Sequence, residues 1–105
     1  MLRVVLLAAL AQTASPPSIV KGPYLIDPRP DGITIRFETS TPVAAEVTYA
    51  ASGEERRATP SAVGTEHTVR IVDLLPGTRY RYRIAILGKL GEERGFRTAP
   101  PPDTP

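Results

Sequence analysis

The sequence predicts an all-β chain, a Greek-key β-sandwich of seven short strands. Three observations carry that reading. Apolar and polar residues alternate with period two through the middle of the chain, the pattern of strands with one face in a core and one in water. Turn residues fall between the alternating runs, and 12 Pro and 8 Gly in 105 residues suit many short strands better than long helices. After the N-terminal segment, no stretch long enough for a packed helix shows helical spacing.

The predicted strands follow in order. The first covers about Ile19–Ile26, where Pro23 restricts it to an edge or a bulge because it lacks a ladder donor. The second is Gly32–Thr39, with Ile33, Ile35 and Phe37 inward, and the third is Val43–Ala50, with Val47 and Tyr49 inward. A weak fourth spans about Glu54–Thr59, and its Glu54-Glu55-Arg56-Arg57 run neutralises itself on an exposed arm. The fifth is Glu66–Leu74, the sixth Thr78–Leu87 and the seventh about Glu92–Thr98. Pro28-Arg29-Pro30-Asp31-Gly32, Ser40-Thr41-Pro42, Ser52-Gly53, Pro76-Gly77 and Gly88-Lys89-Leu90-Gly91 are the turns between them. Packing two inner faces makes Ile33, Ile35, Phe37, Val47, Tyr49, Val69, Ile71, Leu74, Tyr82 and Ile84 the expected core.

The ends are different in kind. Met1-Leu2-Arg3 precedes the apolar run Val4–Ala11, and Ala9-Leu10-Ala11 offers a small-X-small cleavage site, with Ala14 or Ser15 as the other option. This is the grammar of a secretory signal over residues 1–15, too short to span a bilayer. A buried first strand or a misplaced start codon is the alternative. Residues 16–18 read as a linker, 19–98 as the domain and 99–105, with four prolines, as a semi-rigid Pro-rich tail. Export to the periplasm or the extracellular space follows from the signal. The Arg- and Ala-rich, Asn-free composition suggests a GC-rich bacterial genome.

Composition also excludes. The chain has no Cys, no Trp, no Asn and one His, so disulfides, thiolate zinc sites, cysteine nucleophiles and multi-histidine metal centres are ruled out. A net charge of +2 is too small an excess to imply a nucleic-acid partner.

Leu74-Leu75-Pro76-Gly77-Thr78-Arg79-Tyr80 resembles the turn between the fifth and sixth strands of fibronectin type III domains. There Tyr80 would bury its ring and return its hydroxyl to the backbone upstream, a tyrosine corner closed by Leu74, Pro76 and Gly77. The likeness narrows with Lys21-Gly22-Pro23-Tyr24-Leu25, Pro30–Thr39, His67–Ile71, Tyr80–Ile84 and the exit Phe96-Arg97-Thr98-Ala99-Pro100. In that order these segments look like the N-terminal domain of purple acid phosphatases and related calcineurin-like metallophosphoesterases, over about Ile19–Pro100. Phe37 departs from the family, which usually places Trp there. The resemblance implies a fibronectin type III-like, immunoglobulin-like sandwich preceding a two-metal catalytic domain. No residue here matches that domain's Gly-Asp or Gly-Asn-His motifs, so no catalytic residue, metal or cofactor is carried over.

Few candidate sites remain. His67 lies in the inward register near the sandwich rim, where a hydrogen-bonded structural role is the simplest reading. A Ser-His-Asp set would need Asp73, which strand parity places inward beyond Ile71 and too far along to reach His67. Arg79, Arg81 and Arg83 share the outer face of the sixth strand, with Arg97 from the seventh and Glu46 from the third as neighbours. Either these charges pair across strands, or they form a face for an anionic ligand or a partner. Tyr80 and Tyr82 point inward, so that face is no stacking platform for single-stranded nucleic acid. The function expected is that of a non-catalytic, monomeric accessory domain beside a metallophosphoesterase catalytic domain, in cis or in trans, without nucleic acid and without membrane contact after signal cleavage. The alternative is a free-standing secreted binding protein of the same fold.

Overall fold

The structure, a computed structural model, describes residues 16–58 and 60–101. The expected signal sequence, Thr59 and residues 102–105 lie outside the described residues. The described residues form eight strands: β1 Ile19–Arg29, β2 Gly32–Val43, β3 Ala45–Ala50, β4 Arg56–Arg57, β5 Gly64–Ile71, β6 Arg79–Ile86, β7 Lys89–Leu90 and β8 Arg94–Arg97. They form two antiparallel sheets that pack as a β-sandwich. One has the order β1-β2-β5; the other runs β4-β3-β6-β7, with β8 also paired to β6.

The core sits where the alternation put it. Ile33, Ile35 and Phe37 from β2 and Val69 and Ile71 from β5 meet Val47 and Tyr49 from β3 and Tyr80, Tyr82 and Ile84 from β6. Leu74 and Phe96 close the cluster. His67 stacks on the ring of Phe37 with centroids 4.8 Å apart. β1 is an edge strand with irregular pairing to β2. At Gly22 its φ is +88°, and a Cβ would stand 2.8 Å from the carbonyl oxygen of Arg36, so only glycine fits this close crossing.

Several boundaries differ from expectation, each for a non-local reason. The expected turn at Ser40-Thr41-Pro42 lies inside β2: the ladder to β5 breaks after Glu38 and resumes at Val43, and the proline sits in that break. The fourth strand shrinks to Arg56–Arg57, paired with Tyr49 and Thr48. The seventh shortens to Arg94–Arg97, against Tyr82–Arg79, and the expected Gly88–Gly91 turn contains a two-residue strand, Lys89–Leu90, against Ile86 and Ala85; both lie on the edge of β6 away from β3. Between them the Gly91 N–H still donates to the Ile84 carbonyl at 2.9 Å. Strand parity ends at Ile71: Asp73 takes φ 60° and is exposed rather than inward.

Candidate functional site

The Leu74–Tyr80 connection is built from mutually satisfied groups. Tyr80 is 2% exposed and its hydroxyl accepts a hydrogen bond from the Leu75 N–H at 2.9 Å. Gly77, at φ +57°, donates its N–H to the Ala99 carbonyl at 2.9 Å. The buried Thr98 hydroxyl accepts from the Thr78 N–H at 2.8 Å and donates to the Leu75 carbonyl at 2.6 Å. Leu74 is buried beneath, Pro76 is exposed, and Phe96 stacks on Tyr80. Tyr80, Gly77, Thr78 and Thr98 each have a partner inside the fold, so this corner acts as a structural anchor.

His67 is likewise occupied. It is 2% exposed. Its Nε2 lies 3.0 Å from the Thr39 hydroxyl and its Nδ1 2.7 Å from the Ser61 hydroxyl. Burial pushes its pKa below the usual value, so the ring is neutral at pH 7. Ser61 and His67 are within nucleophile–base distance, but Thr39, not a carboxylate, holds the other nitrogen, and Ser61 is committed to the Ala45 backbone. The cluster ties β2, β5 and the Ser61 segment together.

The arginines stand on the outer face of the β4-β3-β6 sheet. Arg79 and Arg81 are exposed and Arg83 is half-buried. Arg79 pairs in register with Arg97, a like-charge pair that weakens the ladder there. Arg97 is held by a hydrogen bond to the Gly77 carbonyl at 3.1 Å. Glu46 does not neutralise β6 as expected; its ion pair is with Arg57 at 4.0 Å, because β4 flanks β3 on that side. Glu93 takes that role instead, 3.3 Å from Arg83 and 4.0 Å from Arg81. These pairs are solvent-exposed and contribute little to stability.

Sequence reasoning missed Thr48. It lies between Arg57 and Arg83 in the ladder, at an outward position, yet is 6% exposed. Its hydroxyl has no hydrogen-bond partner among the described residues. Thr48 lines an open cleft of about 250 Å³ with Ala50, Glu55, Arg81, Arg83 and Glu93. The only available signal was an outward threonine on a strand that would be paired with arginine-bearing strands, and the register needed to see it is not local.

Comparison with known proteins identifies the fold. No family model matches the chain, and no curated protein matches it. Among solved structures, it is similar to the sensor domain of the anti-sigma factor RsgI4 in Pseudobacteroides cellulosolvens. The longer form of that domain gives a TM-score of 0.68 at 13% identity, covering 86% of this chain and 96% of the other. The solution structure of the sensor domain gives 0.63 at 11%, covering 83% and 76%. A computationally redesigned β-sandwich protein gives 0.55 at 16%, covering 83% and 97%. At such identities the likeness is one of architecture, and this chain shares with them an all-β sandwich.

Proposed function

We propose that the chain is a non-catalytic accessory domain, a fibronectin type III-like module of the kind that precedes a metallophosphoesterase catalytic domain, exported from the cytoplasm. The observation that carries the reading is the outer face of the β4-β3-β6 sheet. Arg57, Arg79, Arg81, Arg83 and Arg97 project from one surface against Glu46 and Glu93 as their ion-pair partners there, an excess of guanidinium forks suited to carboxylates or phosphates on a partner. The sheet arrangement is consistent with the module. Counting β7 and β8 as one interrupted strand gives seven, divided between two sheets, with β2–β3, β4–β5 and β5–β6 crossing between them. That some of the similar solved structures are sensor domains supports an accessory role of some kind and does not bear on the phosphoesterase.

The test is isothermal titration of the purified module into a two-metal phosphoesterase catalytic domain from the same genome, freed of any N-terminal domain of its own. The expected result is a 1:1 complex that weakens with salt and is lost when Arg79, Arg81 and Arg83 are all changed to Gln. Absence of association would favour the free-standing secreted binding protein. Phosphate-ester hydrolysis by the purified module itself, persisting through re-purification, would overturn both readings.

A further inference from the structure

We infer that the cleft around Thr48 is a binding site for the oxyanion group of a small solute, a carboxylate or a phosphate, and that Glu93 occupies the position such a group would take. The inference goes beyond the docking of a partner domain and does not require one.

The molecule contains its own reference for what a satisfied site of this kind looks like. Thr34 is also an outward, buried threonine, paired in register with an arginine, Arg70. There the circuit is closed: Arg70 Nη1 donates to the Thr34 hydroxyl at 2.9 Å and to Asp27 at 3.2 Å. Thr48 sits in the corresponding position on the other sheet, with Arg83 across from it and a carboxylate, Glu93, beyond. Here the circuit is open. Arg83 reaches Glu93 but not Thr48, and the Thr48 hydroxyl is left without a partner among the described residues.

The donors that remain define the ligand. Arg83 Nη2 contacts one oxygen of Glu93 at 3.3 Å, and Arg81 Nη1 stands 4.0 Å from the other. Neither is the two-point fork that guanidinium groups make with a well-placed carboxylate, so both arginines retain unused N–H groups. Arg81, Arg83 and Thr48 line one cleft, and their unused donors suit the acceptors of a planar or tetrahedral oxyanion. The volume, about 250 Å³, admits one small group. Tyr82 also lines the cleft, but it is 3% exposed and packed in the core, so it offers no open platform for a base. Glu55, also in the lining, is an acceptor for a hydroxyl or ammonium carried beside the oxyanion. Because Glu93 is about half-exposed, its side chain can swing into water and yield its place.

The test is an amide NMR titration of the whole chain at constant ionic strength, replacing chloride stepwise by inorganic phosphate in one arm and by acetate in the other. Saturable shifts confined to Thr48, Ala50, Arg81, Arg83 and Glu93 are expected. Saturation by phosphate alone assigns a phosphate ligand; saturation by acetate assigns a carboxylate. Glu93→Gln should tighten binding by about tenfold, since it removes a charged competitor. Thr48→Val should weaken it by about fivefold, the worth of one hydrogen bond. Shifts that stay linear in both arms, or an affinity unmoved by Glu93→Gln, would overturn the inference. Glu93 is a surface residue, so that variant remains a valid test even if Thr48→Val folds poorly.

Discussion

Each outer face of the sandwich carries a threonine, an arginine and a carboxylate close together, and the two faces use them differently. On the β1-β2-β5 sheet, Thr34, Arg70 and Asp27 form a closed chain of hydrogen bonds. On the β4-β3-β6 sheet, Thr48, Arg83 and Glu93 form an interrupted one. Both threonines are buried beside long arginine chains, so burial does not distinguish them. What differs is where the guanidinium points. A buried hydroxyl left alone has lost water and gained nothing, a cost of about 1–3 kcal/mol. The hydroxyl left open on the second face is the one that the inferred oxyanion would satisfy.

The largest expected effect lies in the interior, where satisfied threonines can be calibrated. Thr98→Val should cost about 3 kcal/mol, because it strands both the Thr78 N–H and the Leu75 carbonyl. Urea denaturation reads this directly, and a loss well under 1 kcal/mol would mean that water replaces the Thr98 hydroxyl and that the contrast between the faces is weaker than drawn.

Next in size is the acid response of His67. Burial lowers its pKa, so the unfolded chain binds the proton more tightly than the folded one. The stabilisation from the neutral ring is therefore complete above the usual value of 6.5 and is lost as pH falls from there toward the lowered folded value. Urea midpoints between pH 8 and about 4.5 should decline below pH 6.5, and His67→Gln should flatten that part of the decline. A slope identical in the variant would place the acid sensitivity elsewhere.

Smaller again is the comparison of arginines. Arg70→Gln breaks contacts to Thr34 and Asp27 and should cost about 1 kcal/mol. Arg83→Gln breaks only an exposed ion pair and should change stability by less than about 0.5 kcal/mol. Equal losses would show that Arg83 is structural.

Much of the fold was legible because it depends on local pattern. Alternation places Ile33, Ile35 and Phe37 on one face whatever lies opposite, and all ten residues expected in the core are there. Tyr80 was legible because Pro76-Gly77 fixes the turn that brings its hydroxyl back to Leu75. The candidate site was legible only in half. Parity put Arg79, Arg81 and Arg83 on an outer face, but the partner of Arg83 depends on where the chain returns after Gly88, and Glu93 gave no signal of it. Thr48 was invisible for the same reason: its neighbours, Arg57 and Arg83, are set by the registers of two different ladders. The depth of His67 depended on Ser61, a loop residue with no periodic pattern.

The most direct measurement is the stability of Thr34→Val beside that of Thr48→Val. Each substitution removes one outward, buried hydroxyl and keeps nearly the same shape. Thr34→Val should cost about 1 kcal/mol, since it strands a charged donor that water only partly recovers. Thr48→Val should cost nothing or stabilise the fold, since its hydroxyl has no bond to lose. Equal destabilisation of the two variants would mean that Thr48 is as well satisfied as Thr34, and the distinction between a closed face and an open one would fall.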